Sequence, residues 1–194
     1  MPMLGIMASQ ISGHLSPAYP YLAYDSIART TVGGGGAANI TFSSIPSTYT
    51  HLQIRAMAKY TQAGDDTSAL HAVFNSDTGT NYSLHYLRGN GTTKIRGGLA
   101  TQSDFYFAGS APSSQAGYAN MFGGSIIDIL DYANTNKYKT TRAISGQSVN
   151  TATYNHIWQF SGTWQSTDAI TNIVITPDNS NWAQYSSFAL YGIK

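Results

Sequence analysis

The sequence contains no glutamate and no cysteine, and only 10% of its 194 residues are charged, against roughly 25% in a typical soluble domain. All nine acidic residues are aspartate. Because glutamate is among the strongest helix formers, its absence beside 19 glycines and 14 tyrosines argues against a helical protein. The composition is typical of an all-β protein whose surface is built from hydroxyl and amide groups.

Long runs of one chemical character are missing as well. The ten basic residues are scattered and the net charge is +1, so no cluster would neutralise several phosphates together and we predict no nucleic-acid partner. No stretch approaches the roughly 18 apolar residues of a membrane span. The first basic side chain is Arg29, so the beginning of the chain lacks the positive region of an export signal. We expect neither a membrane partner nor an export address.

Residues 1–21 differ from the rest of the chain. They mix small and apolar residues, and Pro17 and Pro20 favour extended chain over helix. At 20.8 kDa and 42% hydrophobic residues, the remainder is the right size for one domain with its own core. We therefore predict an N-terminal arm over residues 1–21 and a single β-domain over residues 22–194.

The arm carries large apolar side chains that are predicted to contact a neighbouring subunit. These are Leu4, Ile6, Met7 and Ile11. A short uncharged segment cannot form a core of its own, so it gains most by adding a strand or filling a groove on a partner. The alternative is that the segment is the first strand of the chain's own sheet.

From residue 22 onward, short segments rich in β-branched and aromatic residues alternate with Gly, Asn, Ser and Asp turns. The segments are 22–32, 39–43, 50–59, 69–75, 82–89, 92–96, 104–108, 120–131, 139–149, 154–164, 169–176 and 187–193. We predict about ten strands from them, with 69–75 and 82–89 forming a hairpin. Their spacing indicates an all-β sandwich, and we expect a single jelly-roll-like β-sandwich of two sheets.

Two segments carry the core prediction. Segment 120–131 is the most apolar, with Ile126, Ile127 and Ile129 among its residues, so we expect both of its faces to be covered. In segment 154–164, Trp158 and Phe160 share one parity with Trp164, and Gly162 makes room for its neighbours. We predict that Trp158, Phe160, Ile127 and Ile129 lie near the core.

Catalytic and metal-binding motifs are hard to assemble from this chain. Asp128 and Asp131 are candidates for a glycosidase acid, but no partner carboxylate is identifiable. His71 and His85 would face each other across the predicted hairpin without a third ligand, which indicates a polar surface pair. The loop around Asp77 has oxygen ligands at alternate positions but lacks a closing acidic residue, which favours an Asx-type turn over a calcium site. We predict no enzyme activity, no metal and no cofactor.

Loops that combine aromatic and amide groups are candidates for surface recognition. The residues are Tyr132, Asn134, Asn136, Tyr138 and Trp182. Such loops suit sugar stacking or a protein contact. Ordinary loop packing is the alternative.

Several stretches together resemble small structural proteins of tailed bacteriophages. They are LGIMASQISG at 4–13, YDSIA at 24–28, FSSIPSTYTHLQIR at 42–55, IDILDYANTNK at 127–137 and FALYGI at 188–193. The resemblance implies a virion component assembled in the host cytoplasm, and it supplies no catalytic residues. It leaves the location on the head or the tail open.

The predicted function is therefore structural. The leading hypothesis is a capsid decoration or cement protein on the outer head surface, with the major capsid protein as partner and a trimer as the expected homo-oligomer. The second is a tail-fibre or tail-adaptor component that binds a host-surface glycan through the aromatic and amide loops. A glycan-active enzyme is the third, and it would need two placed carboxylates.

Overall fold

The computed structural model of the chain describes residues 23–64, 67–114, 118–149, 155–178 and 180–194. These residues form twelve strands and no helix. The strands are β1 (Tyr24–Thr31), β2 (Ile40–Phe42), β3 (His51–Ala58), β4 (Thr67–Phe74), β5 (Tyr82–Gly89), β6 (Lys94–Gln102), β7 (Phe105–Pro112), β8 (Gly123–Leu130), β9 (Lys139–Gln147), β10 (His156–Trp164), β11 (Ile173–Pro177) and β12 (Ser187–Ile193). The predicted arm, including Leu4, Ile6, Met7 and Ile11, lies outside the described residues.

The strands make two antiparallel sheets. Eight strands form one sheet in the order β1-β12-β3-β8-β9-β10-β5-β6, and four form the other in the order β2-β11-β4-β7. Strand β7 packs across β8, β9 and β10, which brings the two sheets face to face. The prediction of an all-β, two-sheet sandwich is confirmed. The finer prediction of a jelly roll stays a prediction. A jelly roll has eight strands, whereas the described residues form twelve strands, with eight in one sheet and four in the other.

The space between the sheets is filled by apolar and aromatic side chains from alternate positions of each strand. Trp158, Phe160, Ile127 and Ile129 are all buried, as predicted. Trp158 stacks on Phe160 with ring centroids 5.7 Å apart, and Phe107 of the opposite sheet meets Phe160 edge-on at 5.5 Å. The Phe107–Phe160 contact crosses the sandwich and joins the two sheets.

Gly162 makes room for its neighbours, as the parity of β10 predicts. A Cβ atom there would lie 2.7 Å from Phe105 Cε1 and 2.9 Å from the Ser83 carbonyl oxygen. We expect Gly162→Ala to lower the free energy of unfolding by about 1–3 kcal/mol, because a packed interior cannot absorb the added methyl group. Gly124→Ala on β8 is the matched control, since a Cβ there meets nothing within 4 Å. Equal urea midpoints for the two variants would contradict this account.

The predicted hairpin of segments 69–75 and 82–89 is wrong. Strand β4 belongs to the four-stranded sheet and β5 to the eight-stranded sheet, so the connection crosses the sandwich. Asn75 and Ser76 adopt positive φ angles of 50° and 58° at the start of this crossing. The local turn chemistry was identified correctly, but it does not fix which sheet the next strand joins.

Asp77 organises the crossing as an Asx-type turn. Its carboxylate accepts hydrogen bonds from the Gly79 backbone N–H at 2.9 Å, the Asn81 amide at 2.9 Å and the Trp164 indole N–H at 2.7 Å. Burial alone would raise the pKa of Asp77, but the hydrogen bonds from Asn81, Trp164 and Gly79 outweigh it and lower that pKa. The Asp77 carboxylate therefore has a structural role, in which it holds the crossing loop through hydrogen bonds from protein groups.

Candidate functional site

The outer face of the eight-stranded sheet, which points away from the four-stranded sheet, carries a band of exposed aliphatic side chains. They are Met57 (59% exposed), Leu87 (59%), Ile126 (42%), Ile144 (47%) and Ile157 (58%). Single exposed aliphatic residues are ordinary, but a contiguous group on one face marks an interaction surface.

The register of the strands shows that these side chains are neighbours. Ile126 of β8 lies directly opposite Ile144 of β9, which pairs in turn with Gln159 of β10. Gln159 pairs with Leu87 of β5. Directly paired residues on one face have Cβ atoms about 5 Å apart. Ile126 and Ile144 therefore form an apolar pair in the middle of the sheet, and Gln159 separates this pair from Leu87.

The next row contains a socket. Met57 pairs with Gly124, Gly124 with Gly146, and Gly146 with Ile157. Two adjacent glycines therefore form the floor, and the exposed side chains of Met57 and Ile157 stand on either side. Because no side chain rises from this floor, the socket has room for an inserted aliphatic group.

Two depressions, of about 880 Å³ and 670 Å³, cover this face and share Ile126 and Ile144 in their linings. The first extends to Leu87 and Arg96, and the second to Met57 and Ile157. We call the concave surface lined by Met57, Leu87, Ile126, Ile144 and Ile157 the trough. Both depressions are more open than enclosed, and each volume lies within the range of roughly 300–1,000 Å³ that is typical of ligand pockets.

The outer face is also basic. Among the residues that the structure describes, register places five basic side chains on this face and one acidic side chain, Asp128. The five are Arg29, Arg55, Lys94, Arg96 and Arg142. These six side chains give the face a charge of +4, whereas the net charge of the whole sequence is +1. The scattered basic residues of the sequence are gathered by the fold.

A polar network borders the trough and uses Asp128. Gln53 donates its amide to Asp128 at 2.8 Å, the Arg55 Nε donates to the Gln53 side-chain oxygen at 2.7 Å, and Arg142 lies 3.5 Å from Asp128. Arg55 also sits over the rings of Tyr24 and Tyr191, at 5.1 Å and 5.0 Å from their centroids. Asp128 has the partners that its place in an apolar strand requires.

Two of the predicted recognition residues are core residues, so the prediction is wrong for them. Tyr132 and Trp182 are both 0% exposed. The Tyr132 hydroxyl donates to the Pro46 carbonyl, and the Trp182 ring packs on Phe188 with centroids 5.0 Å apart. Their rings fill space beneath loops, which is the ordinary packing alternative.

The other three predicted recognition residues are exposed on the β8–β9 connection. They are Asn134, Asn136 and Tyr138, and the Tyr138 side chain is 55% exposed. The buried side chain of Lys139 holds this loop in place. Its ammonium group donates hydrogen bonds to the Asn134 carbonyl at 2.7 Å and to the Lys137 carbonyl at 3.1 Å. Burial lowers the pKa of Lys139. The loop is ordered from within and lies apart from the residues that line the trough.

His71 and His85 do not form a pair, because their strands belong to different sheets. His71 Nδ1 lies 3.0 Å from an Asp104 carboxylate oxygen, whereas His85 points outward at the edge of the trough. Among the described residues, no group of three or more His, Asp or Glu side chains is placed to hold a metal ion. That part of the chain also has no helix long and apolar enough to cross a membrane.

Sequence reasoning missed the trough although one signal for it was present. Segment 120–131 is apolar on both parities, which predicts a strand covered on both faces. This prediction is wrong for the described residues: Ile127 and Ile129 are covered by the opposite sheet, whereas Ile126 on the other parity is exposed. The described residues leave the outer face of this strand open.

Comparison with known proteins finds no family model, no curated protein and no solved structure that matches this chain.

Proposed function

We propose that this chain is a non-enzymatic structural protein of a tailed-phage virion, and specifically a decoration protein on the outer surface of the head. The observation that carries the proposal is the trough, where the described residues leave one face of an apolar strand open to solvent. An exposed apolar surface of this kind is typical of a protein that binds another protein when it assembles. The phage resemblance of the sequence supports the same role.

The dimensions of the outer face support a protein partner. Eight strands at a spacing of about 4.8 Å, each seven to nine residues long, give a face of roughly 900 Å². This is about the area that each partner contributes to a standard protein interface. Interactions with the major capsid protein and with other copies of this chain, as a trimer, would both use such a surface.

The carboxylates support a non-enzymatic role. Asp128 is engaged by Gln53 and Arg142, and Asp131 forms an ion pair with Lys137. The Lys137 hydrogen bond, opposed by some burial and aided by the charges of Lys137 and His51, lowers the pKa of Asp131. A glycosidase acid needs a raised pKa, so Asp131 is tuned in the wrong direction for that chemistry.

A glycan-binding tail component is the second candidate, favoured by one observation. Asn134, Asn136 and Tyr138 are exposed on a single loop, where amide groups and a ring could hold a sugar. The burial of Tyr132 and Trp182 removes the other two aromatic groups of that hypothesis. The head location therefore has the larger structural basis.

The test is the location and copy number of the protein in purified virions, measured by quantitative mass spectrometry. We expect a copy number comparable to that of the major capsid protein. Ile144→Asp, which places a carboxylate in the trough, should abolish incorporation, whereas Thr41→Asp, at an exposed position of β2, should leave it unchanged. A copy number comparable to that of tail proteins would support the second candidate, and absence from virions would overturn both.

A further inference from the structure

We propose that residues 1–22 of one copy of this chain occupy the trough of a second copy. This inference deepens the proposed assembly role by naming one occupant of the open face. It concerns contacts between copies of this chain, so it is tested on the purified protein, apart from any virion.

The segment is connected to the start of strand β1, which lies at the end of the sheet opposite the socket. Strand β1 starts beside Ile193 and ends beside Ser187, which in turn pairs with Met57. The segment therefore enters the sheet at the end opposite the socket. To reach the trough of its own chain it would have to reverse direction, and Pro17 and Pro20 favour extended chain just before the entry point.

The length of the segment is sufficient for a neighbouring copy. Extended chain spans at most about 3.3–3.6 Å per residue, so 22 residues reach roughly 70 Å. The trough runs from β3 to β5, which is four strand spacings or about 19 Å. A bridging stretch and a bound stretch both fit within this length.

The chemistry of the segment matches the trough. It supplies Leu4, Ile6, Met7 and Ile11, and no charged side chain occurs before Asp25. An uncharged segment can lie on a basic face without repulsion and without burying a charge. Two troughs packed against each other would instead set five basic groups against five and leave the concave space unfilled.

The socket gives the contact its specificity. Gly124 has no atom near the place where a side chain would begin, and Met57 and Ile157 flank the glycine floor. One aliphatic side chain of the arm can enter between them. Filling the socket from within the chain should therefore block the arm while leaving the fold intact, and Gly124→Leu does this.

The first measurement uses disulfide trapping, since the chain has no cysteine of its own. The double variant Ile6→Cys with Gly124→Cys is oxidised at low concentration and run on a non-reducing gel. We expect covalent dimers and larger species that link different copies. The matched control, Ile6→Cys with Thr41→Cys, should stay largely monomeric. A fast internal disulfide in the first variant, with no gain in mass, would show that the arm binds its own chain and would overturn the proposal.

The second measurement is sedimentation velocity of the full chain over a range of concentrations. We expect concentration-dependent association that weakens about tenfold or more in Gly124→Leu and in the deletion of residues 2–15, as expected for the loss of one or more buried aliphatic side chains. Thr41→Leu should associate like the unchanged chain, and an acetylated peptide of residues 1–22 should compete with association. A full chain that is monomeric throughout, or association that Gly124→Leu does not weaken, would overturn the inference. Neither result would contradict the proposed function, which is tested separately by the copy number of the protein in virions.

Discussion

Replacing Trp164 with alanine is expected to lower the free energy of unfolding by about 3–5 kcal/mol, the usual cost of removing a buried aromatic side chain. Trp164 is 1% exposed. It stacks on Tyr82 with ring centroids 6.3 Å apart and meets Phe74 edge-on at 5.7 Å. Its indole N–H holds Asp77, so the substitution removes packing from the core and a donor from the crossing loop together. Urea denaturation followed by circular dichroism measures the loss.

Trp164→Phe separates the two contributions. It keeps an aromatic ring in the core but removes the hydrogen bond to Asp77, and it should cost less than the alanine variant. Asp77→Asn is the companion change on the loop side. If Trp164→Ala cost under 1 kcal/mol, the described core around β5, β10 and the crossing loop would be wrong.

The second large effect is a loss of stability at alkaline pH, centred on Tyr82. Burial raises the pKa of Tyr82 from 10.0 to about 12. Tyr82 is fully buried. Its hydroxyl accepts a hydrogen bond from the Phe74 backbone N–H at 3.1 Å and donates one to the Asp77 backbone carbonyl at 2.9 Å. Because the folded state holds this proton more tightly, its contribution to stability is complete below pH 10 and is lost as the pH rises toward 12.

Two pKa units correspond to about 2.7 kcal/mol, which is the full loss reached well above pH 12. Roughly 2 kcal/mol of it should be lost between pH 10 and pH 12. Burial also raises the pKa of Tyr106 and of Tyr132, which adds to the fall. Burial lowers the pKa of Lys59 and of Lys139, which acts in the opposite sense below pH 10.5.

Tyr82→Phe isolates the contribution of this hydroxyl. At pH 8 the unchanged protein should be more stable than the variant by about 1–3 kcal/mol, because the substitution leaves buried backbone groups without their partner. Between pH 10 and 12 this difference should shrink toward zero. Urea unfolding at a series of pH values measures it, and a difference that stays constant up to pH 12 would contradict the assignment.

The strands were the most predictable part of the fold. Segment 82–89 coincides with β5, and 187–193 with β12. This success has a local cause, since β-branched and aromatic residues between turn residues determine strand formation without reference to distant parts of the chain. The parity of Trp158, Phe160 and Trp164 likewise identified the inner face of β10.

Which sheet each strand joins was not predictable from the same local signals. The loop around Asp77 has hairpin chemistry, yet it crosses between sheets because Tyr82 and Trp164 pack on Phe74 in the interior. The trough was missed for a related reason. Its residues come from β3, β5, β8, β9 and β10, and only the pairing of these strands brings them together. The aromatic loop residues Tyr132 and Trp182 are predicted to be on the surface but are buried, because the sequence does not show that their side chains point inward.

The basic outer face gives the described part of the sandwich an uneven distribution of charge, although the net charge of the sequence is only +1. With five basic side chains and one acidic side chain on the outer face of the large sheet among the described residues, an approaching acidic surface exerts a torque on the molecule as well as an attraction. At low ionic strength such a field turns the molecule before contact, so that collisions begin with the trough already facing an acidic surface. The field decays over about 8 Å in physiological salt, which confines this guidance to the last moments of the encounter.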